Sequence, residues 1–220
     1  MKAVEFRRVW KFYGSYPVLR GIDLSLEDGE MLFIMGPSGS GKTTLLQVAA
    51  GILTPEKGEV FLLGHSLSSA SLEERLRLSR ERTGFMFQDD VLIDTLTVYE
   101  NVELPLLIRG VKRREELVEE AIGLVGLKGL EERVPNEISG GEKRKVSFAR
   151  AIVNRPEVLF LDEPTSNLDT ENILFLLRII EKLAKEGTAV LATTHDPLIK
   201  EKVGRVLEMR DGRIKGALRR

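Results

Sequence analysis

The chain has 220 residues, enough for one large α/β domain or a core with a small subdomain. With 42% hydrophobic and 30% charged residues it cannot be a disordered chain. The formal net charge of −1 leaves no basic excess for nucleic acid, and the absence of Cys excludes disulfides and thiolate metal sites. The opening MKAVEFRRVW lacks the apolar core of a signal peptide, and no run of about eighteen apolar residues marks a membrane span.

Residues 3–12 and 18–26 have strand-like stretches. In the second, Val18, Ile22, Leu24 and Leu26 are apolar, while Asp23, Ser25 and Glu27 are polar. Asp28-Gly29 then signals a turn. Between the two strands, Phe12-Tyr13-Gly14-Ser15-Tyr16 offers aromatics that could stack on a purine or pack across strands.

Met31 to Met35 is an apolar run with the length of a buried strand. It leads into Gly36-Pro37-Ser38-Gly39-Ser40-Gly41-Lys42-Thr43-Thr44, followed by a run that reads as helix. This fits G-x-x-x-x-G-K-[ST], with a strand before and a helix after. A polyphosphate is dense negative charge. Glycines let backbone N–H groups close around it, and the helix start adds its positive dipole end. Lys42 can reach the β- and γ-phosphates, and the Thr43 hydroxyl can ligate Mg²⁺. The plain alternative is a Gly/Ser-rich turn that happens to hold a Lys.

Glu59 to Leu63 reads as a strand, and Ser71 to Arg82 as a charged helix with Leu72, Leu76 and Ser79 at helical spacing. Gly84 to Gln88 reads as a short buried strand. Gln88 could cap it, or reach Mg²⁺ and an attacking water. Residues 89–135 turn to helical periodicity, with helices predicted over 97–108 and 113–125. Leu104, Leu107 and Ile108 share one helical side, and Pro105 bends or limits that helix. The apolar start of this block, Val91-Leu92-Ile93 with Leu96, Val98 and Tyr99, is either self-packed or a contact surface.

Ser139 with Glu142 forms a capping box for a helix reaching about Asn154. Gly140 and Gly141 leave the start of that helix bare, so its N–H groups could face an anion outside this chain's own phosphate loop. Val158 to Leu161 is an apolar strand that the sequence continues through Asp162 and Glu163. Mg²⁺ suits the first carboxylate, and the second could orient or deprotonate water. Neighbours on an extended strand point to opposite sides, so the pair should do different jobs. Asn172 to Ala184 reads as helix and Thr188 to Thr193 as strand. His195 then falls on the rim where a parallel sheet places its ligands. His65 has no such context. Two short strands close around Asp211-Gly212.

GPSGSGKT, Gln88, ISGGE, VLFLDE, SNLD and His195 occur in one order. In this the chain resembles the ATP-binding subunit of an ABC transporter over nearly its whole length. The resemblance implies an α/β fold: a P-loop NTPase (RecA-like) core with a helical subdomain and an antiparallel β subdomain. Residues 1–220 would form a single ATP-binding domain, with 1–88 and 157–220 as core and β subdomain and 89–156 as the helical signature subdomain. By similarity, Tyr13 would stack on adenine, with Tyr16 as the fallback, and Gly36 to Thr44 would hold the phosphates of ATP. Thr43, Gln88 and Asp162 would surround Mg²⁺. Glu163 would be the general base and His195 would contact the γ-phosphate. Ser139, Gly140, Gly141 and Glu142 would grip ATP bound to a second copy in a head-to-tail dimer, with Asp169 at the seam.

Separate transmembrane subunits at the cytoplasmic face of the membrane are the implied partners, whether the output is transport or a signal to cell-wall hydrolases. Two departures stand out: Glu142 replaces the usual Gln, and Ile138 the usual Leu. Glu142, the segment Thr97 to Val102 and the compact length resemble the subgroup for lipoprotein release, macrolide export and the division-linked complex.

Overall fold

The computed structural model describes residues 1–217. In chain order the elements are β1 (Lys2–Tyr13), β2 (Tyr16–Glu27), β3 (Met31–Met35), α1 (Lys42–Ala49), β4 (Lys57–Leu62), β5 (His65–Ser66), α2 (Leu72–Arg82) and β6 (Thr83–Met86). Three helices follow: α3 (Val98–Ile108), α4 (Glu115–Leu124) and α5 (Gly140–Ile152). The chain then returns to β7 (Val158–Leu161), α6 (Thr170–Lys185), β8 (Ala189–Thr194), α7 (Pro197–Lys202), β9 (Arg205–Arg210) and β10 (Arg213–Ala217).

Two sheets result. The first is antiparallel, in the order β2-β1-β4-β5, and the second runs β10-β9-β3-β8-β7-β6. Within the second, β9, β3, β8, β7 and β6 are parallel and β10 is an antiparallel edge. The patterning explains the layering. β2 alternates, burying Ile22, Leu24 and Leu26 and exposing Asp23, as a sheet with one wet face should. β3, β7 and β8 as far as Ala192 are apolar because both faces are covered. Leu32, Ile34, Val158, Phe160, Ala189 and Leu191 pack with the antiparallel sheet and α1. Their alternates, Phe33, Leu159, Leu161, Val190 and Ala192, pack with α3 to α6. A period of two thus divides one sheet between two cores.

Helix α5 can lie against β6 because residue 84 is glycine. A Cβ there would stand 1.9 Å from the Ala151 carbonyl oxygen. Ser71, Thr97 and Ser139 each close a capping box with a Glu three residues on, which fixes the starts of α2, α3 and α5. Asp211 and Gly212 both take positive φ, the requirement of a tight hairpin between β9 and β10.

Two predicted helix faces are turned the other way. In α2, Leu72 and Leu76 are exposed, and Leu78 packs on the core instead. In α3 the buried face is Val98, Asn101, Val102 and Leu106, while Leu107 and Ile108 face out. Local spacing names a stripe; the neighbouring helices decide which stripe is covered. Pro105 is accommodated inside α3, which ends three residues later. The short helix α7 was not foreseen, although Asp196 caps it and Pro197 opens it.

The apolar segment before α3 is fastened by a buried amide. Asn101 Nδ2 donates to the carbonyls of Ile93 (3.1 Å), Leu96 (3.0 Å) and Thr97 (2.9 Å). Its Oδ1 accepts from the Ile93 N–H at 2.9 Å. Asn101→Leu keeps the size but strands these groups, so stability should fall by roughly 2–4 kcal/mol. Urea denaturation checks this. A change within about 0.5 kcal/mol, the level of an ordinary surface substitution, would contradict it.

Candidate active site

Parallel strands deliver their following residues to one rim. The phosphate loop follows β3, His195 follows β8, Asp162 and Glu163 follow β7, and Gln88 lies two residues beyond β6. These strands are neighbours in the sheet, in that order. Residues as distant in sequence as these therefore meet by register alone: Met35 lies beside Thr194, Leu161 beside Ala192, and Met86 beside Leu161. Gln88 is not in the strand but in the exposed bend after it.

The loop can bend this tightly because of its glycines. A Cβ on Gly36 would stand 2.1 Å from the Met209 carbonyl oxygen. Gly41 precedes α1 at φ 103°, which only glycine adopts readily. Helix α1 then starts without a side-chain cap and without an acidic residue in its first turn. Its N–H groups are free to meet an anion. Lys42 is buried, and its Nζ donates to the carbonyls of Gly36 (2.9 Å) and Pro37 (3.3 Å). It also stands 3.3 Å from Glu163 Oε1. Ser40 Oγ is buried and has no hydrogen-bond partner. A lysine folded back onto its own loop, open helix N–H groups and an orphaned hydroxyl fit a polyphosphate.

The two carboxylates part company by a different route from the one the sequence suggests. Strand β7 ends at Leu161, and Glu163 has φ 49°. A backbone turn separates them, not strand alternation. Such a conformation costs on the order of 1–3 kcal/mol and persists only where the surroundings impose it. Here Thr193 contributes. Its hydroxyl donates to Asp162 Oδ1 (2.6 Å) and accepts from the Glu163 N–H (3.0 Å). Glu163 Oε2 accepts from the His195 N–H at 3.1 Å and lies 2.8 Å from His195 Nδ1. Asp162 is thus held behind the site, while Glu163 spans Lys42 and His195.

A cavity of about 590 Å³ opens over this rim, lined by Val18, Ser38, Gly39, Gly41, Lys42, Thr43, Thr44, Gln88, Glu163 and His195. A family model for the ABC transporter matches residues 19–166, two thirds of the chain, and takes in the phosphate loop and both carboxylates. The chain belongs to the ABC transporter family, as an ATP-binding cassette. It is an ABC-type ATPase.

The cassette is 39% identical over 217 residues to an uncharacterized ABC transporter ATP-binding protein, MJ1508, of Methanocaldococcus jannaschii, covering 96% of this chain and 97% of the relative. The ATP-binding cassette MJ0796, solved as a dimer in a post-hydrolysis state with ADP and Pi, matches with a TM-score of 0.92 at 32% identity over 98% of both chains. A second dimeric structure of MJ0796, described as a bacterial ABC transporter cassette, matches at 0.91 and 31% identity over the same share of each chain.

Some expected nucleotide ligands lie outside this cassette's cavity. Tyr13 and Tyr16 face each other across the β1–β2 hairpin, both exposed, and neither lines it. Ser139, Gly140, Gly141 and Glu142 do not line it either. Ser139 and Gly140 are exposed, and a Cβ on Gly140 would meet nothing within 4 Å. Glu142 Oε2 accepts from both the Ser139 hydroxyl and its N–H, at 2.7 Å each. These bonds hold the Glu142 carboxyl below its ordinary pKa. Asp169 has a structural task as the cap of α6, accepting from the Asn172 N–H at 2.8 Å.

Thr43 and Gln88 line the cavity and Asp162 lies buried outside its lining; they carry hydroxyl, amide and carboxylate oxygens, the hard donors that Mg²⁺ takes. Among the described residues no three His, Cys, Asp or Glu side chains converge on one point. An ion here would draw other ligands from phosphate oxygens and water.

Two contributors were not named from the sequence. Thr193 reads as one more residue of an apolar strand; its only signal is a hydroxyl in register with the carboxylate strand. Arg144 sits in Lys143-Arg144-Lys145, which reads as a solvated charge run.

Lys42→Ala removes the one ammonium on the loop. ATP affinity should fall by roughly 10- to 100-fold, the worth of charge-assisted hydrogen bonds, with the circular dichroism unchanged. Titration calorimetry reads this. Wild-type affinity in the variant would contradict the phosphate assignment.

Proposed function

We propose that this cassette works as one half of an ATP-driven head-to-tail homodimer that moves separate membrane subunits. One observation carries the reading. The Ser139–Glu142 start of α5 is exposed with open space over Gly140, yet it is absent from the cassette's own nucleotide cavity. Ser139 and Glu142 cap this helix, but Gly140 and Gly141 leave its first turn uncovered by any Cβ, and such an end outside the cavity suits an anion brought by a second chain. The dimeric state of MJ0796, a relative at 32% identity, supports it.

In this reading the α1 N-terminus and Lys42 bind the phosphates of ATP. Mg²⁺, held with the help of Thr43, Gln88 and Asp162, supplies charge neutralisation when bound. Glu163 accepts the proton of the attacking water. His195, whose Nδ1 bonds Glu163, orients that carboxylate and meets the γ-phosphate with the other face of its ring. Lys42 lies against Glu163 in this structure; phosphates that attract the ammonium would leave the carboxylate free for water. Tyr13, exposed on its hairpin, stacks on the adenine. Ser139, Gly140 and Gly141 donate to the γ-phosphate on the partner chain.

Residues 89–156 form the helical unit that carries this motion. Phe87, Val91 and Ile93 are exposed large apolar residues in one loop beside it, which suits a membrane subunit's contact. No helix among the described residues is long and apolar enough to cross a membrane. In this reading the cassette sits peripherally at the cytoplasmic face, held by its membrane subunits. Glu142 with the Thr97–Val102 segment supports placement in the lipoprotein-release, macrolide-export and division-linked subgroup.

Glu163→Gln keeps size and hydrogen bonding but loses the base, so turnover should fall by roughly 10²–10⁴-fold. One negative charge near the γ-phosphate also disappears, which favours the ATP-bound state. With ATP and Mg²⁺ the variant should sediment as a dimer. A monomer under those conditions would contradict dimerisation by the isolated cassette, and full turnover would remove Glu163 as the base.

Leu92 packs against the core, whereas Ile93 is exposed. Ile93→Asp should therefore abolish assembly with the membrane subunit, by placing a charge in a surface that must lose its water, and leave ATP binding intact. Co-purification reads the first and calorimetry the second. Undiminished assembly would rule this loop out as the contact.

A further inference from the structure

The loop carrying Gln88 and the loop carrying Glu163 share a single fastening. Residues 144, 147 and 150 of α5 recur every three positions, which puts them on one side of the helix. Ser147 Oγ donates to the Asp90 carbonyl at 2.6 Å, and Arg150 donates to the carbonyls of Val91 (2.9 Å) and Asp90 (3.0 Å). Arg144 reaches further. It is 3% exposed. Its Nη1 donates to the carbonyls of Phe87 (3.2 Å) and Gln88 (2.6 Å) and to Asp90 Oδ1 (3.1 Å). Its Nη2 donates to the carbonyls of Asp162 (3.1 Å) and Glu163, and its Nε to that of Pro164 (3.3 Å).

One planar guanidinium thus bonds five main-chain carbonyls on two loops. Only arginine brings five N–H donors in a fixed fork; lysine has three on a rotating point charge. Two of those carbonyls belong to Gln88 and Glu163 themselves. Glu163 also needs outside support, since its φ of 49° is disfavoured. The Thr193 hydroxyl holds its N–H, and Arg144 holds its C=O.

We propose that Arg144 is the positioning residue for hydrolysis: it fixes the distance and orientation between Gln88 and Glu163. It does so from the helix whose first turn is Gly140-Gly141-Glu142, so it also ties both loops to the end that faces the second chain. This rests on Glu163 being the base. Arg144 does not line the nucleotide cavity. Its loss should lower kcat and leave KM nearly unchanged.

Arg144→Ala would strip five carbonyls of their donor and risks unfolding. The test therefore uses Arg144→Lys, which keeps a cation beside Asp90 and loses only the fork. In the full chain, competent sites are first counted by stoichiometric titration with a fluorescent ADP analogue. ATP turnover is then expressed per competent site. We expect kcat per site to fall by roughly 10²-fold, the size of a small misplacement of a catalytic group.

Combining Arg144→Lys with Glu163→Gln should give turnover no lower than Glu163→Gln alone, since groups that act as a unit are not additive. Wild-type kcat per competent site would overturn the proposal, because the residue would then serve the fold only. Multiplicative losses in the double variant, with a slow Glu163→Gln chain, would overturn it too. Full turnover in Glu163→Gln overturns the underlying assignment of the base, and the positioning role falls with it.

Discussion

A lysine and a glutamate, both almost wholly withdrawn from water, stand 3.3 Å apart across the rim of the parallel sheet. Burying two charges is costly unless each finds further partners, and these do. Lys42 has the Gly36 and Pro37 carbonyls; Glu163 has the backbone and ring of His195. The pair is therefore a stable holding state for a site built to receive negative charge. In the proposed mechanism a triphosphate offers the ammonium a stronger partner and leaves the Glu163 carboxylate free beside the bond to be broken. The rest of the fold serves to put these two groups at the same place.

The sheet does most of that. β3 brings Lys42, and β7, one strand beyond β8, brings Glu163, because parallel strands end on the same side. Strand geometry stops at Leu161, however, and the chemistry begins two residues later. From there the loops depend on side chains reaching in from other elements. Thr193 secures Asp162 and the Glu163 N–H from β8, and Arg144 secures the carbonyls from α5. Helix α5 begins at its cap, Ser139, so one rigid element connects the proposed surface for a second chain with the proposed base, Glu163.

Legibility followed the range of the interactions. The phosphate loop could be read because its glycines answer a local demand: Gly36 has no room for a Cβ and Gly41 no tolerance for one. The carboxylates and His195 could be read because each stands at the end of an apolar run. The strands were plain from their apolar runs, although β6 and β7 end at Met86 and Leu161, each two residues short of the sequence reading. What could not be read was set by contacts between distant segments. The buried stripe of α3 depends on α4 and α5, and the exposed one names the same residue types. Glu163 was placed on an extended strand, but its turn is imposed from Thr193, thirty residues away, and from Arg144. Arg144 itself carries no local mark, since a basic residue between two lysines is solvated far more often than buried.

The central claim is that a working site needs the phosphate loop, Lys42 and Glu163 of one chain and the Ser139 helix of another. Mixing two inactive chains tests it directly. A Ser139→Arg cassette keeps its loop and base but cannot grip a partner's ATP. A Glu163→Gln cassette keeps its Ser139 helix but has no base. ATP turnover of each alone, and of the mixture with Ser139→Arg in excess, is the measurement. The account predicts that activity reappears on mixing, at a fraction of the wild-type rate, because each mixed dimer holds one complete site. A mixture as inactive as its components would contradict it, and so would a Ser139→Arg chain that hydrolyses ATP at full rate on its own.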